Sequence, residues 1–220
     1  MNDKLKAVIF DMDGVIVNNH EYHTRAWFAF CKKFNISTSR KELLSMFGGT
    51  NKDVLEQMFG RPLEKNELDK LASQKEKLYR EIYNNDIIET SGLTSFLERI
   101  KFDGLLIGLA TSAPPSNVSF VLGSLDIKSY FTVIVDDSEI INGKPHPETY
   151  NRAISKLKLT PENCIVIEDS VRGIKSARAA GTKVIGIATT NSKDELLLAH
   201  HVIESFNELM ISDLHELATK

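Results

Sequence analysis

Cysteine is scarce in this chain. Only Cys31 and Cys164 occur among 220 residues. Two thiols far apart, with no CxxC pair, exclude a disulfide framework and a cysteine zinc site, and they point to a reducing compartment. Long hydrophobic runs are lacking too. None approaches the 18 or so residues of a spanning helix, and the four apolar residues after "MNDKLK" are too few for a signal-peptide core. A cytoplasmic protein with no membrane partner is therefore expected. Strong charge of either sign is absent: the formal net charge is -3 and the pI is near 6.1. No basic excess marks a nucleic-acid binder. There is no internal repeat and no low-complexity tract.

Short β-rich runs alternate with helical stretches. The strand candidates are 7–10, 105–110, 132–135, 164–167, 183–187 and 201–203. They read as continuous apolar runs, which suits parallel strands covered on both faces. Helical periodicity fills 147–159, with Tyr150, Ala153, Ile154 and Leu157 on one face, and again 170–181. The expected fold is α/β, a Rossmann-like, doubly wound, mostly parallel sheet. Residues 18 to about 90 break the rhythm, with four helical patterns and no good strand. An inserted all-helical cap is expected at 18–90, with the core made of 1–17 and 91–220.

The polar residues fall where the strands stop. In "AVIFDMDGVIV" a buried strand runs into Asp11 and Asp13, two carboxylates a residue apart. The second strand ends at Thr111 and Ser112. The third is followed by Lys144, and the fourth ends at Glu168 and Asp169. Parallel strands joined by right-handed crossovers bring these ends to one edge, where ligands bind in open sheets. Crowded acids repel one another, and a hard divalent cation resolves the repulsion. Mg²⁺ accepts carboxylate oxygens and leaves room for a substrate phosphate. Lys144 adds a positive charge suited to a phosphate oxygen. The pattern points to phosphoryl transfer, with Asp11 as nucleophile and Asp13 as general acid and base. Taken singly these residues are weak signals, since Glu168 and Asp169 would equally cap a helix.

Together, "FDMDGV", "LATS", "GKPHPETY" and "VIEDSVRGIKSARAAG" resemble the four motifs of the haloacid dehalogenase superfamily, over essentially the whole chain. The resemblance implies a metal held by Asp11, the backbone carbonyl of Asp13, and Asp169, with Glu168 beside it as a direct or water-linked ligand. It also implies Thr111, Ser112 and Lys144 around the transferring phosphoryl group. Asp13 argues against the metal-free dehalogenase branch. Within the superfamily the chain resembles the β-phosphoglucomutase-like and sugar-phosphatase subgroup. "EYHTRAW" carries His23 and Trp27 at matching positions, "GGTNKD" (Gly48, Gly49, Thr50, Asn51, Lys52, Asp53) resembles its substrate loop, and Lys75 sits where the mutase has a cap lysine.

There are departures. Lys52 stands where the mutase has an arginine, and lysine makes no planar bidentate clamp. "APPSNV" after Ser112 leaves only Ser116 and Asn117 able to donate side-chain hydrogen bonds to a second phosphate. Trp27 also reads as ordinary core, and Lys75, in a lysine-rich helix, as solvated. The leading expectation is a Mg²⁺-dependent phosphatase of small phosphate esters, phosphosugars foremost, acting as a monomer or weak oligomer. A sugar phosphomutase is the alternative. Inorganic pyrophosphate as substrate and a non-catalytic phospho-acceptor module are further readings; the latter fits poorly with a helical insertion after the first strand.

Overall fold

A computed structural model describes residues 4–45 and 50–220 of the chain. It divides into two compact units, Met1–Asn18 with Ile88–Lys220, and Asn19–Ile87.

The first unit is built on six parallel strands: β1 (Ala7–Phe10), β2 (Leu106–Ala110), β3 (Val133–Val135), β4 (Cys164–Glu168), β5 (Lys183–Ile187) and β6 (His201–Ile203). Their spatial order is β3-β2-β1-β4-β5-β6, the doubly wound order. The direction of winding reverses between β1 and β4, and such a switch point opens a crevice at the carboxyl ends of the strands. Register is fixed there by Phe10 opposite both Leu109 and Ile167. Each strand lies within a residue or two of its sequence-based position. The apolar runs set the ends because a polar residue cannot continue a strand covered on both faces without a partner.

Side chains alternate faces along a strand. Ala7 and Ile9 of β1 and Cys164 and Val166 of β4 pack into one core with Tyr150, Ile154, Ile174 and Ala177. These last four lie on α7 (Glu148–Leu157) and α8 (Val171–Ala179). Phe10 faces the other way, edge-on to Phe96 at 6.2 Å and close to Phe206 at 5.9 Å. Phe96 belongs to α5 (Leu93–Phe102). The unit is completed by α6 (Pro115–Ser124) and α9 (Ile211–Thr219).

The second unit holds α1 (His20–Lys33), α2 (Arg40–Ser45), α3 (Asn51–Phe59) and α4 (Lys65–Tyr83). It has a core of its own in Trp27, Phe30, Leu43, Val54, Leu55, Leu63 and Leu71. α3 begins with a capping box. The Thr50 hydroxyl accepts from the Asp53 amide, and the Asp53 carboxylate accepts from the Thr50 amide at 2.7 Å. Each group satisfies a donor that a helix start would leave bare. Among the described residues, no helix is long and apolar enough to cross a membrane.

Candidate active site

The alternation that buries Ile9 and Val166 carries past the strands. Asp11 has the parity of Ile9, and Glu168 that of Val166, so both emerge on the α7–α8 side at the switch point. Asp11 remains in the ladder, its amide donating to the Ile167 carbonyl at 3.1 Å. Ligand oxygens of Asp11, Glu168 and Asp169 all lie within 4.8 Å of one another, and all three residues are buried. Lys144, also buried, reaches both β1 and β4: its Nζ lies 2.9 Å from Asp11 Oδ1 and 2.6 Å from Glu168 Oε1.

Glu168 is tied on every side. Oε1 accepts from Lys144 and from the Tyr150 hydroxyl at 2.7 Å. Oε2 accepts from the Asp169 amide at 3.0 Å and from the amide and hydroxyl of Ser170 at 3.1 Å. Ser170 is also the N-cap of α8, its hydroxyl accepting from the Gly173 amide at 3.0 Å. A carboxylate at a helix N-terminus is favoured by the backbone dipoles. The approach is so close that only glycine fits beneath it: a Cβ on Gly173 would fall 1.7 Å from Glu168 Oε1.

The three acids therefore differ in how readily they ionise. Burial alone would raise Glu168, but Lys144 and the surrounding donors hold its pKa below the usual glutamate value. Burial raises Asp11 to about 7 despite the attraction of Lys144, with Glu168 and Asp13 adding repulsion. Burial, then Glu168 and Asp11, pushes Asp169 well above the ordinary aspartate range. One ammonium faces three carboxylates, and Asp11 Oδ1 has no hydrogen-bond donor among the described residues apart from its contact with that ammonium. This donor set of crowded, hard, underneutralised oxygens fits a divalent cation such as Mg²⁺.

The turn after β1 explains the glycine of "DMDG". Gly14 has φ +79°, a conformation most residues avoid, and a Cβ there would lie 2.0 Å from Asp169 Oδ2. Its amide donates to the Val17 carbonyl at 2.7 Å. Asp13 is half-buried in this turn. At the end of β2 Thr111 is buried, its Oγ1 accepting from the Ala113 amide at 3.1 Å, while Ser112 is exposed. Ser116 is exposed on α6 and Asn117 is fully buried.

Several residues that hold this arrangement were not singled out by sequence. Tyr150, read as a core position, is that and also a donor to Glu168. Its ring lies 5.0 Å from Lys144 Nζ. Arg172 donates to the Lys144 carbonyl, and Ser176 Oγ donates to the His146 carbonyl at 2.6 Å, fastening the Lys144 loop to α8. Both helix residues sit inside the "VRGIKS" stretch, but they contact backbone carbonyls, which leave no side-chain signature elsewhere in the sequence.

Within the helical unit, His23 stacks on Tyr79 at 3.9 Å and its Nδ1 lies 2.9 Å from Lys75 Nζ. Lys75 is 2% exposed, contrary to the solvated position expected in a lysine-rich helix. The reason is its neighbour: Glu76 pairs with it at 2.9 Å and in turn accepts from Asn51 Nδ2 at 2.8 Å. Trp27 packs edge-on to Phe30 and lies 5.0 Å from Lys75 Nζ, so it serves as core of this unit. Thr50 caps α3, and Lys52 is exposed on that helix. Gly48 and Gly49 lie outside the described residues.

A doubly wound sheet with acids, a lysine and a threonine at its switch point defines an α/β enzyme core of the kind that handles phosphate. The model of the haloacid dehalogenase-like hydrolases matches residues 8–187, and the chain belongs to that family. Its curated relatives include phosphatases and a phosphomutase. The chain is 31% identical to the β-phosphoglucomutase of Bacillus subtilis, over 96% of this chain and 95% of that one. It is 27% identical to a phosphorylated carbohydrates phosphatase of Thermotoga maritima, over 88% and 90% respectively. Among solved structures, a family IA haloacid dehalogenase-type hydrolase of Entamoeba histolytica superimposes with a TM-score of 0.91 at 30% identity, covering 98% of this chain and 100% of the other.

Proposed function

We propose that the chain is a Mg²⁺-dependent phosphatase of small phosphate esters, phosphosugars foremost, that works in the cytoplasm through an aspartyl-phosphate on Asp11. The reading is carried by the meeting of Asp11 with Lys144 and Asp169 at the switch point, and the relatives named above support it. Asp11 and Asp169, the Asp13 carbonyl and the neighbouring Glu168 would hold the cation. When bound, the cation neutralises charge that builds on the phosphoryl oxygens in transfer.

In the first half-reaction an Asp11 carboxylate oxygen attacks phosphorus, and the bond from phosphorus to the ester oxygen breaks. Asp13 donates its proton to the departing alkoxide. In the second, Asp13 takes a proton from water as the water oxygen attacks phosphorus, the Asp11–phosphorus bond breaks, and phosphate leaves. Lys144, fixed between Asp11 and Glu168, holds positive charge beside the reacting oxygen throughout. Thr111 and Ser112 supply hydroxyl and amide donors to the phosphoryl group. The helical unit acts as a cap that excludes bulk water. Substrate contacts are drawn from His23, Gly48, Gly49, Thr50, Asn51, Lys52 and Lys75 of the helical unit and from Ser116 and Asn117 of the core.

Phosphate release from a panel of phosphorylated metabolites, inorganic pyrophosphate included, tests this. Asp11→Asn should release none, and EDTA should silence the wild type until Mg²⁺ is restored. Turnover that survives either treatment overturns these roles. A second reading, sugar phosphomutase, is favoured by the full-length match to the Bacillus enzyme and by the His23–Lys75 pair. Coupled detection of glucose 6-phosphate, formed from β-glucose 1-phosphate with catalytic bisphosphate added, separates the two. Isomerisation much faster than phosphate release would establish the mutase.

A further inference from the structure

Two residues outside every motif named above reach into the site. They come from the loop after β5. Thr189 Oγ1 donates to the Gly14 carbonyl, in the turn that carries Asp13. The hydroxyl of Thr190 lies beside the Asp169 carboxylate and favours its charged form. The three groups are crowded together: the point where a Gly14 Cβ would lie is 2.0 Å from Asp169 Oδ2 and 2.7 Å from Thr190 Oγ1.

The loop itself is fastened to β6 where it leaves β5 and is stiffened by local bonds beyond. The Ala188 amide donates to the Ile203 carbonyl at 2.8 Å, and the Thr189 amide to the Ile187 carbonyl at 3.0 Å. Beyond the threonines, the amide and hydroxyl of Ser192 donate to Glu195 Oε2 at 2.9 and 2.8 Å. Thr189 and Thr190 thus present their hydroxyls from anchored backbone. One grips the turn after β1 and the other stands beside the acid that follows β4.

We propose that Thr190, assisted by Thr189, is a positioning residue for the cation: it orients the Asp169 carboxylate, while Thr189 sets the Asp13–Gly14 turn against it. The proposal rests on the Mg²⁺ reading of the site. A carboxylate that lacks such a partner rotates more freely, and loss of a hydrogen bond behind a ligand commonly weakens metal affinity about 10–100-fold.

The test is calorimetric titration of Mg²⁺ into the substrate-free full-length protein, wild type, Thr190→Val and Thr190→Ser, with melting temperatures measured in EDTA. Valine keeps the shape and removes the hydroxyl. Thr190→Val should raise the Mg²⁺ Kd about 10-fold or more, with a metal-free melting temperature close to wild type, and phosphate release should recover at high Mg²⁺. Thr190→Ser should restore wild-type affinity. Thr189→Val should weaken Mg²⁺ in the same direction. Unchanged Mg²⁺ affinity in Thr190→Val, or a serine variant as weak as the valine one, overturns the proposal and leaves the cation reading standing. A wild type that binds no Mg²⁺ overturns both.

Discussion

Replacing Gly173 with alanine adds one methyl group at a point the structure cannot yield cheaply. Its Cβ would lie 1.7 Å from Glu168 Oε1, 1.9 Å from Cδ and 2.2 Å from Oε2. A flexible carboxylate on the surface would swing away. This one is fully buried and accepts from Lys144, Tyr150, Asp169 and Ser170. Displacing it forfeits hydrogen bonds to a charged group worth about 1.5–3 kcal/mol each. With two of them lost, the cost is about 3–6 kcal/mol, set against about 1 kcal/mol gained from alanine's helix propensity. A net loss of about 3 kcal/mol corresponds to about 6–12 °C of melting temperature for a chain of this length. Gly123 is the control. It too lies in a helix, α6, yet a Cβ there meets nothing within 4 Å. Gly123→Ala should gain about 0.5–1 kcal/mol and melt slightly higher. Both variants are compared with wild type by thermal denaturation in EDTA, and phosphate release is then measured with Mg²⁺. Gly173→Ala should melt lower and lose activity. A Gly173→Ala protein melting within about 2 °C of wild type would refute the claim that Glu168 is locked onto the first turn of α8.

Tyr150→Phe keeps the buried ring and removes the donor to Glu168 Oε1; it should cost about 1.5–3 kcal/mol in urea denaturation, and an unchanged midpoint would deny the bond its importance. Lys75→Met leaves Glu76 buried without its ammonium and should cost about 3–5 kcal/mol, most of it recovered in Lys75→Met/Glu76→Gln; a double variant no better than the single would exclude an unpaired charge as the cause. Glu76 also sets a pH dependence. Burial would raise its pKa, but Lys75, His23 and Asn51 together bring it down to about 2 from 4.5. A depressed carboxyl contributes stability that is full above about pH 5 and lost as pH falls toward 2, on the order of 3 kcal/mol in total. The stability gap between wild type and Glu76→Gln should therefore narrow on acidification, and a gap constant from about pH 7 to 3 would contradict it.

The sheet was legible because parallel strands leave little choice. A run such as "AVIF" is apolar at every position, is too short for a helix, and stops at an acid. The strand ends followed, and with them Asp11, Lys144, Glu168 and Asp169. Tyr150 was legible only as core. Its place on the apolar face of α7 is periodic, while its hydroxyl finds Glu168 only because α7, packed on β2 and β3, brings it to the end of β4. Arg172 and Ser176 were hidden for another reason: they bond to carbonyls, and every residue has one. Lys75 misled because solvation is the correct default for lysine. The exception needed Glu76 beside it and Asn51 from another helix, a pairing 25 residues apart that no periodicity reports.

The strand that builds the site also imposes the conflict within it. Alternation that sends Ile9 and Val166 into one core must send Asp11 and Glu168 toward each other, so this backbone cannot keep the two carboxylates apart. What separates them is their donors. Glu168 is saturated by a lysine, a tyrosine, a hydroxyl and two amides, which hold its pKa down. Among the described residues Asp11 shares only the lysine, and burial lifts it to about 7. Two acids of one chemical type thus receive different tasks from their surroundings. The saturated one anchors Lys144 and the start of α8. The underdonated one retains an oxygen with capacity to spare, which is what a nucleophile or a cation ligand requires. Removing donors from Glu168 should therefore harm the site by loosening the anchor, whereas adding a donor to Asp11 would harm it by occupying the oxygen that has to react.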